Sequence, residues 1–258
     1  MLLSSRLITV RPEALSIVKL SRFFHTKQPL HNVRGRHWSL ITLLQIGPLR
    51  GIILRDEEAS KKYMKIAVFG DIHGNIEGVQ GNYDETVANN AEHCGCKYED
   101  ALQAEMAQLS FEWTKQHAST KSKKFMKTLP AEMAFTSAGK RVKLFHATPH
   151  KNNLYWYEDR PEKFFQEMAE KADADVLVYG HAHKPYKKDF NGKTFINTGS
   201  VGKPKDGDPR ACVAVIEITS ASSTADFLRV KYDVEKVAQA IISSGLPPYF
   251  AERLKIAQ

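Results

Sequence analysis

Short apolar runs alternating with amphipathic helical stretches predict an α/β (α+β) layered fold, in which strands deliver polar residues to one rim of a sheet. Two observations carry this expectation. The runs at 66–69, 142–145, 176–179 and 195–197 are brief and β-rich, and each closes on or just before a Gly, His or Asn, as buried strands do when they open into functional loops. Between them lie polar stretches with recognisable helix start and stop residues. With 258 residues and 42% hydrophobic content, the chain has enough apolar surface for one domain core.

Residues 1–63 differ in kind from the remainder of the chain. Of 37 basic and 29 acidic residues, nine and one (Glu13) fall in 1–55, leaving 28 of each for 56–258. The net charge of +8 therefore belongs to the N-terminal segment, and the balanced remainder argues against nucleic acid as an obligate partner. Arg6, Arg11, Glu13 and Lys19 interrupt any secretory apolar core. A mitochondrial-type transit segment fits better, with Arg22-Phe23-Phe24 as a processing neighbourhood; the alternative is an extension without a role, because Met64-Lys65-Ile66-Ala67-Val68-Phe69-Gly70-Asp71 reads as a natural start. The expected organisation is a poorly ordered extension over 1–63 and one domain over 64–258, cytoplasmic, with mitochondrial as the alternative. No apolar run approaches the ~18 residues of a membrane helix, so no membrane partner is expected.

Helices are expected at 99–116, at 119–129 with Ser119 or Thr120 capping, at 161–171, and at 233–244 between a capping Asp233 and Gly245. Further strands are expected at 212–218 and 227–232. Three cysteines, Cys94, Cys96 and Cys212, are too few for a disulfide framework. His93-Cys94-Gly95-Cys96 lacks the second ligand pair of a structural zinc site and reads as a solvated turn.

The chemistry lies in five segments that come after apolar runs: Asp71-Ile72-His73-Gly74-Asn75, Gly81-Asn82-Tyr83-Asp84, His146-Ala147-Thr148-Pro149, Gly180-His181-Ala182-His183 and Asn197-Thr198-Gly199-Ser200. One histidine at a strand end is ordinarily structural, but this series in order points to metal. Asp71 and His73, and again His181 and His183, stand two apart, so each pair can face one cation. Mixed N/O donors suit Mn²⁺, Fe or Zn²⁺ better than Mg²⁺ or Ca²⁺. Two cations about 3.5–4 Å apart would serve hydrolysis at phosphorus.

Asp-x-His, Gly-Asn-x-Asp, His-x-x-Pro and Gly-His-x-His in series resemble the calcineurin-like metallophosphoesterase superfamily. The stretch from Asn197 to Ala211, with Tyr232-Asp233-Val234-Glu235 and Ser244-Gly245-Leu246-Pro247, is similar to its small bacterial-type phosphodiesterase branch. The resemblance covers about 64–258. It implies a β-sandwich flanked by helices, a phosphate-ester substrate, and two divalent ions, Mn²⁺ first with Fe, Zn²⁺ or Ni²⁺ as alternatives. Asp71, His73 and His183 would hold the first ion, and Asn82, His146 and His181 the second. Asn82 and Tyr83 would be the catalytic positions, Tyr83 standing where many relatives carry histidine.

One family motif is absent. A Gly-Asp, whose aspartate bridges both metals in the family, belongs between the first two segments, yet only Ile76-Glu77-Gly78-Val79-Gln80 separates Asn75 from Gly81. Glu77 matches no replacement pattern. Two divalent ions ~3.7 Å apart repel by roughly 18 kcal/mol even at an effective dielectric near 20, so occupancy of the second position is expected to weaken. The alternative function is a non-catalytic binding module of the same fold. Both flanking loops lie at the same rim in the family, so a short link can close the gap, at the expense of strands beside the first one and with an exposed edge. Lys203, Lys205 and Arg210 are either phosphate-facing or solvated.

Overall fold

The computed structural model describes residues 39–43, 52–55, 63–68 and 79–258. Two five-stranded sheets face each other. The first has the order β1 (Ser39–Leu43), β2 (Ile52–Arg55), β3 (Tyr63–Val68), β9 (Ala211–Thr219), β10 (Ser223–Val230), and all its neighbours are antiparallel. The second has the order β4 (Glu132–Ser137), β5 (Lys140–Phe145), β6 (Val176–Tyr179), β8 (Lys193–Asn197), β7 (Tyr186–Phe190), and here β5, β6 and β8 run parallel. Ile66, Ala214, Ile216 and Ile218 from one sheet meet Val142, Val176, Val178 and Ile196 from the other in a shared apolar layer. This is the expected sandwich. Strand β6 is buried at every residue, as its unbroken apolar sequence requires.

The outer face of the second sheet is covered by α4 (Glu162–Ala172). Phe165, Met168 and Ala172 pack with Trp156, Leu177, Tyr179 and Phe195, and Trp156 stacks on Tyr179 at 4.1 Å between ring centroids. A helical layer forms from α1 (Asn82–Ala88), α2 (Ala101–His117) and α3 (Thr120–Met126) around Val87, Phe111 and Met126. Caps fall where the sequence puts them: Ser119 accepts from Ser122 N, Asp233 accepts from Lys236 N at the start of α5 (Val234–Ser243), and Gly245 adopts φ +84° after its end. A further helix, α6 (Pro248–Ile256), closes the chain.

The sequence reading does not include α1, α6, β4 and β7, and two further features depart from it. Strands β1 and β2 fall within the segment read as an extension, and β2 pairs antiparallel with β3 through Ile53↔Ile66, so β3 has a partner on each side rather than an open edge. The turn at 93–96 is only partly solvated: His93 and Gly95 are exposed, while Cys94 is buried against Val87 and Phe111.

At the end of the sheet opposite the motif loops, Asp175 ties β5 to β8. Its Oδ2 accepts from Arg141 N at 2.8 Å and its Oδ1 from Lys193 Nζ at 2.7 Å. Burial alone would raise the carboxyl pKa, but the Lys193 ammonium and the Arg141 amide outweigh it and hold the group at about 2, below its ordinary 3.8. A depressed carboxyl stabilises the fold above pH ~4 and ceases to do so as pH falls toward 2. Asp175→Asn should therefore lower stability by about 1–2 kcal/mol at neutral pH and flatten the loss between pH 4 and 2, read by thermal melts at stepped pH.

Candidate metal centre

The parallel run of β5, β6 and β8 makes three chain segments leave the sheet at one rim. Parallel registers Leu144↔Val178 and Tyr179↔Asn197 set His146, His181 and Asn197 side by side, and the ladder continues past the strands: Gly180 N donates to His146 O at 2.8 Å and Thr198 N to Tyr179 O at 2.8 Å. Asn197 is fully buried. Its Nδ2 donates to Gly180 O at 2.8 Å and its Oδ1 accepts from Gly199 N at 3.0 Å, binding the two loops together.

The Gly180-His181-Ala182-His183 loop is strained. His181 and His183 take φ +63° and +59°, and Ala182 N donates to Gly180 O at 2.7 Å across a three-residue turn centred on His181. Left-handed backbone costs a non-glycine residue about 1–2 kcal/mol, and a fold retains it where the side chain's direction matters. Both imidazoles are buried.

Asn82 arrives from the other side, at the first turn of α1. Gly81 N donates to Asp84 Oδ2 at 2.9 Å, so the motif's one acid caps the helix that Asn82 opens. Asn82 Nδ2 donates to Cys96 Sγ at 3.0 Å and more weakly to Cys94 O at 3.5 Å, which turns Oδ1 toward the histidines. Asn82 Oδ1 then lies 3.1 Å from His146 Nε2, and His146 Nε2 lies 3.0 Å from His181 Nδ1. Ligands at about 2.1 Å from one ion and at right angles stand about 3.0 Å apart, so this spacing fits a common cation. Two imidazole nitrogens and an amide oxygen fit a borderline divalent metal.

His183 Nδ1 donates to Lys203 O at 2.6 Å, which commits that nitrogen and leaves Nε2 as the donor atom. Asp71, His73 and Glu77 lie outside the described residues. Tyr83 is not brought to the cluster: its ring packs edge-on to Phe111 at 5.5 Å and its hydroxyl donates to Ala107 O at 3.4 Å, so the helix layer claims it and burial pushes its pKa up. Arg210 is likewise turned away, paired with Asp208 at 2.6 Å. Lys203 is half-buried, with its ammonium 5.6 Å from the Phe250 ring; burial first, then Lys205 and Arg253, push its pKa down to about 8.

One neighbour was not anticipated. Tyr155 stacks on His181 at 4.4 Å, and Lys205 Nζ lies 5.8 Å from the Tyr155 ring centre. The sequence signal is the alternation Tyr155-Trp156-Tyr157, which sends the tryptophan into the core and both tyrosines, stacked at 5.8 Å, to the other side.

A family model for the calcineurin-like phosphoesterase superfamily domain matches residues 63–221. The chain belongs to that superfamily. An uncharacterised protein of Methanocaldococcus jannaschii is 28% identical over 159 residues, which are 55% of this chain and 62% of the relative, so the chain spans less than two thirds of that relative's length. A hypothetical protein of Pyrococcus horikoshii shares the fold with TM-score 0.57 at 16% identity over 70% of this chain and 73% of its own. A metallophosphoesterase of Sphaerobacter thermophilus does so with TM-score 0.51 at 22% identity over 71% and 77%.

Gly199 shows how closely the phosphoesterase rim is packed. It sits at φ +71°, and a Cβ there would stand 3.0 Å from Cys212 Sγ and 3.1 Å from Pro185 Cβ, whereas Gly139, at φ +78°, has open space around it. Gly139→Ala should cost about 1 kcal/mol from backbone alone, and Gly199→Ala about 2–4 kcal/mol because overpacking adds to it. Parallel denaturant melts of the two variants separate the two contributions; equal losses would mean that the Gly199 contact relaxes freely.

Proposed function

We propose that this chain is a metal-dependent phosphoesterase that hydrolyses a phosphodiester or phosphomonoester with water as the nucleophile, at the rim where β5, β6 and β8 end. The observation that supports it is the convergence of Asn82 Oδ1, His146 Nε2 and His181 Nδ1, with successive separations of 3.1 and 3.0 Å. A bound divalent cation supplies Lewis-acid polarisation of a phosphoryl oxygen and lowers the pKa of water. Asn82, His146 and His181 would hold one such ion. Being uncharged donors, they leave its full positive charge to face a phosphate.

Asp71, His73 and His183 are the donors assigned to a second ion, with His183 held by Lys203 O so that Nε2 faces outward from that bond. Mn²⁺ is the first choice and Fe, Zn²⁺ or Ni²⁺ the alternatives. Tyr155 covers one face of His181 and fixes the ring's rotation. Asn82 is the described catalytic position, and Tyr83, turned into the helix layer, supplies no proton here.

The absent Gly-Asp favours a second reading, a binding module of the same fold that keeps the donors without turnover. Where the enzyme reading holds, the missing bridging carboxylate lowers the rate. The test is Mn²⁺-dependent hydrolysis of bis(4-nitrophenyl) phosphate by the chain, by His181→Ala, and by a version with a Gly-Asp segment restored, with circular-dichroism melts showing that each is folded. His181→Ala should lose at least about 100-fold and the restored version gain more than about 10–100-fold, since even outer ligands of a site are worth that much. Equal rates for the folded chain and His181→Ala would leave only the binding-module reading.

A further inference from the structure

We propose that Cys94 and Cys96 form a reversible oxidation site that controls the orientation of Asn82 and, through it, metal affinity; the coupling rests on the reading of Asn82 as a metal donor. The Cys94-Gly95-Cys96 turn leads out of the helical layer directly beneath that side chain. Gly95 sits at φ +72°, where a Cβ would come within 2.6 Å of Asn153 Nδ2, and Asn153 Nδ2 donates to Gly95 O at 2.8 Å. The turn is therefore tight and clamped from outside, and its positive φ favours glycine at its centre.

Within it, Cys96 N donates to Cys94 Sγ at 3.4 Å, which folds the first side chain back over the second residue, while Cys96 Sγ lies 4.0 Å from Cys94 O and Cys94 Sγ 2.8 Å from the Tyr98 hydroxyl. Residues two apart in such a turn bring their Cα atoms to about 5–6 Å, inside the span a disulfide bridges. Cys212, the third cysteine, is buried against Gly199 and stands apart from the pair.

The same sulfur that would be oxidised is the acceptor that sets the Asn82 amide. Asn82 Nδ2 donates to Cys96 Sγ at 3.0 Å, and this bond decides which end of the amide faces His146. Forming a disulfide draws the Cys96 sulfur toward its partner and away from Asn82 Nδ2, so oxidation removes the anchor while leaving only the 3.5 Å contact to Cys94 O.

The step balances with hydrogen peroxide as oxidant. One of the two thiols attacks one peroxide oxygen: an S–O bond forms, the O–O bond breaks, and the departing hydroxide takes the thiol proton as water. The other sulfur then attacks the oxidised one; the S–S bond forms, the S–O bond breaks, and a second water leaves. Two thiols have given two electrons to one peroxide. A small thiol of the glutathione class reverses the bond by exchange.

The experiment uses the full chain, stripped of metal, in reduced, peroxide-treated and re-reduced forms. Thiol alkylation with peptide mass mapping locates the bond, and calorimetric titration with Mn²⁺, which has little affinity for thiolate, reads the centre rather than the cysteines. We expect a Cys94–Cys96 disulfide within one peptide, a Kd for Mn²⁺ raised about 10–100-fold on oxidation and restored by re-reduction, and a Cys96→Ser variant indifferent to peroxide. Both thiols remaining alkylatable, or a bond to Cys212, would overturn the site. A disulfide that leaves the Kd unchanged, while Asn82→Ala raises it, would overturn the coupling. An unchanged Kd in Asn82→Ala, or no Mn²⁺ binding by the reduced chain, would instead overturn the reading of Asn82 on which the coupling rests.

Discussion

The centre depends on one buried amide. Asn197 ends β8 with no exposed surface, and its side chain spans the Gly180 carbonyl and the Gly199 amide while Gly180 N reaches His146 O. Three loops that share no sequence neighbourhood are thus joined by one continuous set of hydrogen bonds. Each of these buried groups would cost about 1–3 kcal/mol if left unpaired, which is enough to hold His181 and His183 in left-handed backbone. An aspartate of the same shape would lack the donor for Gly180 O, and a leucine would lack both bonds. The strain of the histidine loop is therefore carried by a residue that is itself none of the candidate donors.

Much of this was legible in the sequence because strand ends and helix caps are local. The segment Val176–Tyr179 is bounded by Gly180, and Asp233, Ser119 and Gly245 act as caps through bonds to residues three or four positions away. The strand-end positions of His146 and His181 were legible for the same reason, lying one and two residues beyond an apolar run. Strand β7 was missed although Asn191-Gly192, at φ +47° and +71°, is a two-residue hairpin turn of the kind that sequence alone identifies. Its three central residues, Lys187, Lys188 and Asp189, hide a strand that pairs only on one side.

What stayed hidden is long-range. Nothing near Tyr83 announces Phe111, and nothing near Cys96 announces Asn82: the partners are 28 and 14 positions apart and meet only because α1 and α2 pack across the buried Cys94. The misplacement of Tyr83 has this origin. By motif position it belongs to the reacting atoms, but an aromatic ring one residue into a helix whose first residue faces the site must face about 100° away from it. Asn82 takes the site side, and Tyr83 is left with the core.

Under the proposed reading, the absence of a Gly-Asp between the first two motif segments leaves the centre poorer in negative charge. The donors that converge among the described residues are all neutral, whereas a bridging aspartate would have brought negative charge between two cations. On that reading, Asn82, His146 and His181 would bring no negative charge to the second ion, and Asp71, outside the described residues, is the one carboxylate assigned to the pair. Lys203 and Lys205 add cations at the same rim, and burial first, then Lys205, lowers the Lys203 pKa. Under the proposed reading, a phosphate arriving at this rim would offset positive charge from the ion and from both lysines.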